Sequence, residues 1–448
     1  MERNLTTGSI AKTVLGFSLP YLFSYFLQTL YGMADLYIIG RFNGVESTTA
    51  VSIGSQAMHM LTVMIVGLAM GPAVTIGQQV GGGKKDEAAN YIGNTVTLFL
   101  SLALCFMVLL LLLTGPIVRV LSTPAEAVEA TTAYLRICFL GIPFITAYNV
   151  LSSVFRGLGD SRSPLLFVLI ACVFNIALDY LFIGALHMGT AGAALATTLS
   201  QSISVLAALV MIRRMKSGIR LTKDSFRPRR RCMGEIVRIG APIAFQDGFM
   251  QISFILVTVI ANRRGLEDAA AVGIVEKLIT FIFLVPSTLL STVSAVGAQN
   301  IGAGKPERAR QTLWLSTAVA VAWGVFAVLV MAIWKEGIIG LFTESEEVVS
   351  LGSGYMSSYI LDTITAGIHF CFSGYFCAIA KSYMSFIHNA LSICLLRLPV
   401  AYLASLRFPD TLFPMGLAPL SGSALSVLIC LGFYLYLRRK EARKGSLG

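Results

Sequence analysis

Charged side chains are scarce in this chain. Only 13% of its 448 residues are Asp, Glu, Lys or Arg, whereas 56% are hydrophobic, and the mean hydropathy is +0.77. Soluble globular domains carry about 25% charged residues. The composition therefore excludes an ordinary soluble globular protein and indicates a membrane protein.

Sequence patterns for disulfide, metal and nucleotide chemistry are also missing. The eight cysteines show no CxxC spacing, and the four histidines form no HxxxH or HExxH pattern, so neither a disulfide framework nor a metal site is predicted. No stretch fits the nucleotide-binding pattern GxxxxGK[ST]. We therefore expect no cofactor and no enzymatic activity, and uphill transport would have to use an ion gradient or a separate subunit.

Long apolar stretches recur along nearly the whole chain. A bilayer core about 30 Å thick takes roughly 20 apolar residues per helix, and the sequence holds about twelve such stretches. They run from 14–38 to 414–437, with 350–376 among them. The first contains Pro20 and Asp35 and is too long for a signal-peptide core, so we expect it to be retained. The sequence predicts an all-α polytopic membrane protein of about twelve transmembrane helices.

The basic residues are placed unevenly. The net charge is +11, and on the predicted topology most Lys and Arg residues fall on one side, including the run RRMKSGIRLTKDSFRPRRR at 213–231. Basic residues concentrate on the cytoplasmic side of membrane proteins. We therefore expect a multi-pass protein of the cell membrane with both termini cytoplasmic, and a basic linker that contacts anionic lipid headgroups and not nucleic acid.

One loop sequence occurs twice in the chain. GQQVGGGKKDEA at 77–88 is echoed by AQNIGAGKPERA at 298–309, and Lys84 and Lys305 are 221 positions apart. The glycines and lysines suit a cytoplasmic turn better than a phosphate-binding loop. An even number of helices per repeat predicts two parallel six-helix lobes, related by a pseudo-two-fold axis along the membrane normal.

The predicted domain organisation follows from this repeat. We expect an N-terminal lobe at 1–212, a basic cytoplasmic linker at 213–238, a C-terminal lobe at 239–437 and a basic cytoplasmic tail at 438–448. Two matching lobes around a central cleft suit a carrier that opens to either side in turn. They do not suit a pore of fixed aperture.

Three polar residues inside apolar spans are candidates for ion coupling. Asp35 lies among Ala, Leu, Tyr and Ile, where a charge costs about 2.5 to 3.5 kcal/mol on the most lenient scale. Asn175 and Asp179 are four residues apart and therefore share one helix face. Their oxygens could bind sodium, or a carboxylate could carry a proton. The alternatives are an Asp35 bonded to a hydroxyl near the interface and a local Asn175–Asp179 hydrogen bond that only supports packing.

The second half does not repeat this acidic group. At the repeat offset the three positions hold Val257, Leu396 and Val400. The coupling site is therefore expected in one lobe only. Arg397 is a predicted intramembrane cation, and we favour structural pairing with Asp362 or Asp247 over a role in substrate binding.

Several motifs resemble those of the multidrug and toxic compound extrusion (MATE) family. They are YGMADLYIIGRF, GQQVGGGKKDEA, FRGLGDSRSP, NIALDYLFI, MGTAGAALAT and the second-half echo AQNIGAGKPERA. The resemblance covers nearly the whole chain. It implies a two-lobe antiporter that exports cationic or amphipathic drugs in exchange for sodium ions or protons. It also implies that Asp35, Asn175 and Asp179 form the acidic site of the N-terminal lobe.

Soft and aromatic residues could contact such substrates, although helix packing is their commoner use. The candidates are Tyr37, Gln56, Met60, Met64, Tyr148, Met250 and Phe254. We expect small organic cations and the lipid bilayer as partners, and a monomer. The alternative functions are a lipid-linked oligosaccharide flippase, which would need more cationic residues around its cavity, and an intramembrane enzyme.

Overall fold

A computed structural model describes residues 4–214 and 218–445. The predicted lobe, linker and tail also include 1–3, 215–217 and 446–448, which lie outside the described residues. Across the described part the chain forms helices and turns with no strand. The α-helices are α1 Ile10–Phe42, α2 Val45–Leu68, α3 Met70–Gly81, α4 Lys85–Val120, α5 Val128–Leu140, α6 Ile142–Gly157, α7 Arg162–Asp179, α8 Gly189–Arg214, α9 Arg230–Asn262, α10 Leu266–Ile282, α11 Leu284–Gly302, α12 Pro306–Gly340, α13 Glu346–Tyr359, α14 Asp362–Ala378, α15 Tyr383–Ser392, α16 Leu398–Arg407 and α17 Phe413–Gly445.

The helices are long and apolar enough to cross a membrane many times. Within the described residues, 10 helical stretches qualify, or 11 if the pair Ala125–Leu140 and Ile142–Gly157, bent by 49°, is one span. This confirms the predicted all-α polytopic membrane fold. The span predicted at 350–376 is not among them, because it is divided between α13 and α14 and includes many serine, glycine and tyrosine residues.

The chain folds into two compact units. The first is mainly Leu15–Ala244, and the second is Phe245–Ile301 together with most of the chain from Lys305 onward. Residues 230–238 of the predicted linker are already helical, since α9 begins at Arg230. The lobe boundaries deduced from the sequence stay a prediction.

The part of the linker before α9 is held against α4. We call Thr222–Arg229 the strap. The side-chain amide of Asn94 donates to Ser225 O at 3.2 Å, and its oxygen accepts from Arg229 N at 2.7 Å. Gly93 allows this approach, because a Cβ there would lie 2.1 Å from Ser225 O. The strap is therefore docked on α4 and is not a loose tether.

The repeated loop forms the same turn in both places. Gly83 and Gly304 each have a φ of +70°, a conformation that only glycine adopts without strain. The matching hydrogen bonds run from Lys84 N to Gln79 O at 2.9 Å and from Lys305 N to Asn300 O at 2.8 Å. The doubled sequence therefore has a structural explanation in the turn that follows α3 and α11.

Each unit has its own apolar core. In the first, residues of α1, α2, α5 and α8 pack together, including Ile38, Leu135, Phe139 and Ala194. In the second, a separate cluster includes Val272, Tyr355, Tyr359 and Met415. Ile176 of α7 packs against the first core, which therefore supports both helices that carry the predicted ion-coupling residues.

Candidate functional site

The three predicted ion-coupling residues meet in the first unit. Asp35 comes from α1, and Asn175 and Asp179 come from successive turns of α7. Their exposed fractions are 8%, 1% and 0%. The Asn175 and Asp179 side chains both lie close to the Asp35 carboxyl group. The sequence thus predicted residues that the fold brings together, and their role stays a prediction.

The carboxyl groups of this cluster have few protein partners. Thr197 Oγ1 lies 3.4 Å from Asp35 Oδ2 and donates to it. The second Asp35 oxygen, both Asp179 oxygens and both amide atoms of Asn175 are buried without a hydrogen-bond partner. Among the described residues, no Lys, Arg or His lies within ion-pair distance of Asp35 or Asp179.

This arrangement favours binding of a small cation. Burying two carboxyl groups near each other without a basic partner is unfavourable when both are ionised. A proton on one of them, or a sodium ion coordinated by hard oxygens, would offset that cost. The described residues hold no cluster of three or more His, Cys, Asp or Glu side chains suited to a metal ion. Among the described residues, the two carboxyl groups, the Asn175 amide and the Thr197 hydroxyl offer oxygen ligands at this site.

Residues of α8 complete the cluster, and they were not among the residues predicted from the sequence. Thr197 contacts Asp35, and one turn later Gln201 Nε2 donates to the Tyr31 hydroxyl at 3.5 Å. The two lie in and just after the motif MGTAGAALAT and are spaced four residues apart, so they share a helix face. That spacing was the available signal.

Local structure defines both ends of α7, the helix that carries Asp179. At its start, Asp160 Oδ1 accepts hydrogen bonds from the backbone N–H groups of Arg162 and Ser163 at 2.9 and 3.1 Å. Gly159, with a φ of +85°, makes the preceding turn. At its end, a π-helical turn at Tyr180–Ala185 begins directly after Asp179. Such turns interrupt regular helix geometry and are frequent at functional sites.

Five of the seven substrate-contact candidates belong to the first unit and two to the second. Tyr37 is 61% exposed, Gln56 is exposed, and Met60 and Met64 are half-buried on α2. Tyr148 lines a cavity of about 30 Å³ with Tyr21, Gln28 and Arg156, which is far smaller than the roughly 300 Å³ of a small drug pocket. Met250 and Phe254 both contact Arg397. Their contact with a substrate stays a prediction.

The pairing predicted for Arg397 is not formed. Within the described part of the second unit, neither Asp362 nor Asp247 lies within ion-pair distance of its guanidinium group. Asp362 acts on Arg397 only at longer range, and its Oδ1 accepts from Thr365 Oγ1 at 3.2 Å. The sequence cannot show this, because the pairing depends on side-chain directions in three different helices.

The two halves match one family separately. The sequence profile of the MatE family fits residues 20–181 and again residues 242–403. This chain belongs to the MatE family. The double match agrees with the repeat found in the sequence, and it covers most of both compact units.

Named relatives of this MatE protein span most of its length. The probable multidrug resistance protein YpnP of Bacillus subtilis is 28% identical over 404 residues, covering 90% of each chain. The multidrug export protein MepA of Staphylococcus haemolyticus is 26% identical, covering 82% of this chain and 81% of the relative. A protein of Shewanella oneidensis named FAD transporter is 24% identical, covering 93% and 95%.

Solved structures show the same fold. An outward-facing multidrug resistance MATE family transporter of the MOP superfamily has a TM-score of 0.90 at 22% identity, covering 98% of both chains. A MOP superfamily transporter from Pyrococcus furiosus, described as having a binding pocket of reversed polarity, has a TM-score of 0.88 at 21% identity, covering 97% of both. At these identities the likeness establishes the fold of the MatE protein and leaves its substrate open.

Proposed function

We propose that this MatE protein is a secondary active multidrug efflux transporter that couples export of organic compounds to entry of sodium ions or protons. The observation that carries this proposal is the buried group Asp35, Asn175 and Asp179, whose carboxyl groups have no basic partner among the described residues. The names of its relatives YpnP and MepA, both multidrug proteins, support the substrate class.

Each residue of the cluster has a distinct role in the proposed cycle. Asp35 and Asp179 carry the charge that the coupling ion neutralises. Asn175 and Thr197 offer neutral oxygens, and Thr197 also orients the Asp35 carboxylate through its hydrogen bond. Ion binding removes the mutual repulsion of the two carboxylates. A carrier state in which the cluster is closed around the ion is thereby favoured over one in which it is open.

The proposal also covers the location of the transporter, the class of its substrates and its oligomeric state. The protein lies in the cell membrane with both termini and the strap in the cytoplasm, and the bias of basic residues supports this orientation. Substrates are amphipathic and mostly cationic, since the described residues of the first unit include buried carboxyl groups with no Lys, Arg or His within ion-pair distance. The protein works as a monomer, because both repeats lie in one chain.

The proposal is tested in proteoliposomes with sodium and pH gradients imposed separately. Wild type should export a fluorescent organic cation under at least one gradient. Asp35→Asn and Asp179→Asn should each reduce gradient-driven export to background while the protein still inserts, because one ionisable group of the pair is lost. Asp86→Asn, at an exposed position in the first turn of α4, is the matched control and should transport normally.

Two results would change this assignment. Normal gradient-driven efflux by the Asp35→Asn, Asp179→Asn double variant would show that coupling lies elsewhere. Scrambling of a labelled lipid-linked sugar by wild type, without export of any organic cation, would favour the flippase instead. Because one relative is named FAD transporter, flavin nucleotides belong in the substrate panel.

A further inference from the structure

Two buried arginines of the second unit have opposite surroundings. Arg264 is a structural arginine whose guanidinium N–H groups all have hydrogen-bond acceptors. Its side chain is 6% exposed, and its Nε pairs with Asp268 Oδ2 at 3.1 Å. Its other donors reach the backbone carbonyls of Ser405, Phe408, Pro409 and Thr411 at 2.8 to 3.3 Å. Five N–H donors therefore have a carboxylate and four carbonyls to accept them.

Arg397 has no such set of acceptors. It is 8% exposed and ends the π-helical turn Ile393–Arg397. One terminal nitrogen donates to the Tyr359 hydroxyl at 3.3 Å, and the other reaches only the Met250 sulfur at 3.6 Å. Its Nε has no partner. In the described residues no carboxylate lies within 4.0 Å of the group.

The nearest carboxyl groups are engaged by hydroxyls instead. Glu276 Oε2 accepts from Thr258 Oγ1 at 3.4 Å, and Asp362 Oδ1 accepts from Thr365 Oγ1 at 3.2 Å. Both act on the guanidinium at longer range. They offset part of its charge without accepting hydrogen bonds from its N–H groups, whereas buried cations in membrane proteins usually pair directly.

An aromatic ring lies on one side of the same guanidinium. The Phe254 ring centroid is 4.6 Å from Arg397 Cζ, within the range of a cation–π contact. Phe254 and Met250 are both half-buried, and they border the N–H groups that lack acceptors. The site thus combines a cation with free donors, a phenol hydroxyl and a soft apolar surface.

We propose that Arg397, with Tyr359, Phe254 and Met250, forms a subsite for the anionic group of an aromatic substrate. The guanidinium fork matches the two oxygens of a carboxylate or phosphate, and the ring and thioether pack against the aromatic part of the ligand. This inference deepens the proposed transport function, since the ligand is a substrate of that transporter. It assigns carboxylate-bearing or phosphate-bearing aromatic compounds to its range.

Equilibrium binding tests the subsite without any ion gradient. The full-length protein in nanodiscs of zwitterionic lipid is titrated with pyrenebutyrate and, separately, with its uncharged amide. Wild type should bind the carboxylate about tenfold or more tightly than the amide. Arg397→Gln should abolish that preference, and Arg397→Lys should keep only part of it, because an ammonium lacks the planar fork.

Glu276 provides an independent variant. Glu276→Gln removes a negative charge near the guanidinium and should tighten binding of pyrenebutyrate while leaving the amide unchanged. A purely structural Arg397 would give no such dependence on probe charge. If Arg397→Gln does not fold, the Arg397→Lys and Glu276→Gln titrations still decide the question.

Arg264→Gln serves as the structural control. It should lower the thermal stability of the protein, because one carboxylate and four carbonyls lose their donors, whereas Arg397→Gln should not. Equal affinity of wild type for the carboxylate and the amide would overturn the proposal. Loss of pyrenebutyrate binding in nanodiscs containing phosphatidylglycerol would assign the site to lipid headgroups and overturn its role for substrates.

The same wild-type preparation separates this proposal from the function on which it rests. Efflux of an organic cation without charge-selective binding of pyrenebutyrate would refute the subsite and leave the transport function intact. Charge-selective binding without gradient-driven efflux would refute the coupled transporter and leave the subsite intact.

Discussion

Asn94 should control how often the strap detaches from α4. Its side chain makes two hydrogen bonds to the strap, one to Ser225 O and one from Arg229 N, and it is fully buried. A hydrogen bond contributes about 0.5 to 1.5 kcal/mol net. Asn94→Ala should therefore lower the free energy of strap opening by about 1 to 3 kcal/mol, which raises the open population roughly 5- to 150-fold.

Limited proteolysis measures that population. The strap contains Lys223 and Arg229, so trypsin cuts it when it opens, and the cleavage rate follows the opening equilibrium if reclosing is fast. Asn94→Asp retains an acceptor for Arg229 N and loses the donor to Ser225 O, so its rate should be intermediate. Ser101→Ala, at an exposed position of the same helix whose hydroxyl bonds only to Thr97 O, should match wild type. A wild-type cleavage rate for Asn94→Ala would refute the docking argument.

Two further predictions follow from the repeat. Gly83→Ala and Gly304→Ala should each lower the stability of the protein by about 1 to 2 kcal/mol, because both positions have positive φ. Thermal melts of the purified variants measure this effect, and an unchanged melting temperature in both would contradict it. Single cysteines at Lys84, Lys223 and Lys305 should all react with a membrane-impermeant thiol reagent from the cytoplasmic side, measured in inside-out vesicles of a background without other reactive cysteines. Labelling of positions 84 and 305 from opposite sides would remove the parallel-repeat interpretation.

The acidic cluster could be predicted because its signals are local. Asn175 and Asp179 share a helix face by spacing alone, and Asp35 stands out as a carboxylate in an apolar span. That these residues meet was implied by the family resemblance and is now seen in the structure. Thr197 was missed because threonine is common in helices, where its hydroxyl usually bonds to its own backbone. The Thr197 hydroxyl also lies 3.1 Å from Ala193 O, so its one proton is shared between its own backbone and Asp35.

Features that depend on side-chain direction or on distant segments could not be predicted. The sequence gives no sign that Arg397 contacts Phe254 and Met250 in place of a carboxylate, since both lie more than 140 positions away. The docking of the strap depends on Asn94 in the same way. The run of basic residues at 213–231 suggested a loose tether. A high density of charge predicts exposure to solvent, but it carries no information about hydrogen bonds to the backbone.

The difference between the two repeats indicates which features a duplicated transporter must keep. The turn after α3 and α11 is retained in both, because its backbone requires glycine at one position whatever the function. The group Asp35, Asn175 and Asp179 has no counterpart in the second repeat, which holds Val257, Leu396 and Val400 at the matching positions. A single site is enough for coupling in principle. Shifting a two-state equilibrium from 1:99 to 99:1 needs a difference in ion affinity of about 10⁴-fold, or about 5.5 kcal/mol. Relieving the repulsion of two buried carboxylates is an effect of that order, since two unit charges about 4 Å apart interact by about 4 kcal/mol at an effective dielectric constant of about 20.

A second acidic site would add buried charge that needs compensation, and the transport cycle does not require it. The second unit is therefore free to use its buried polar positions for other ligands.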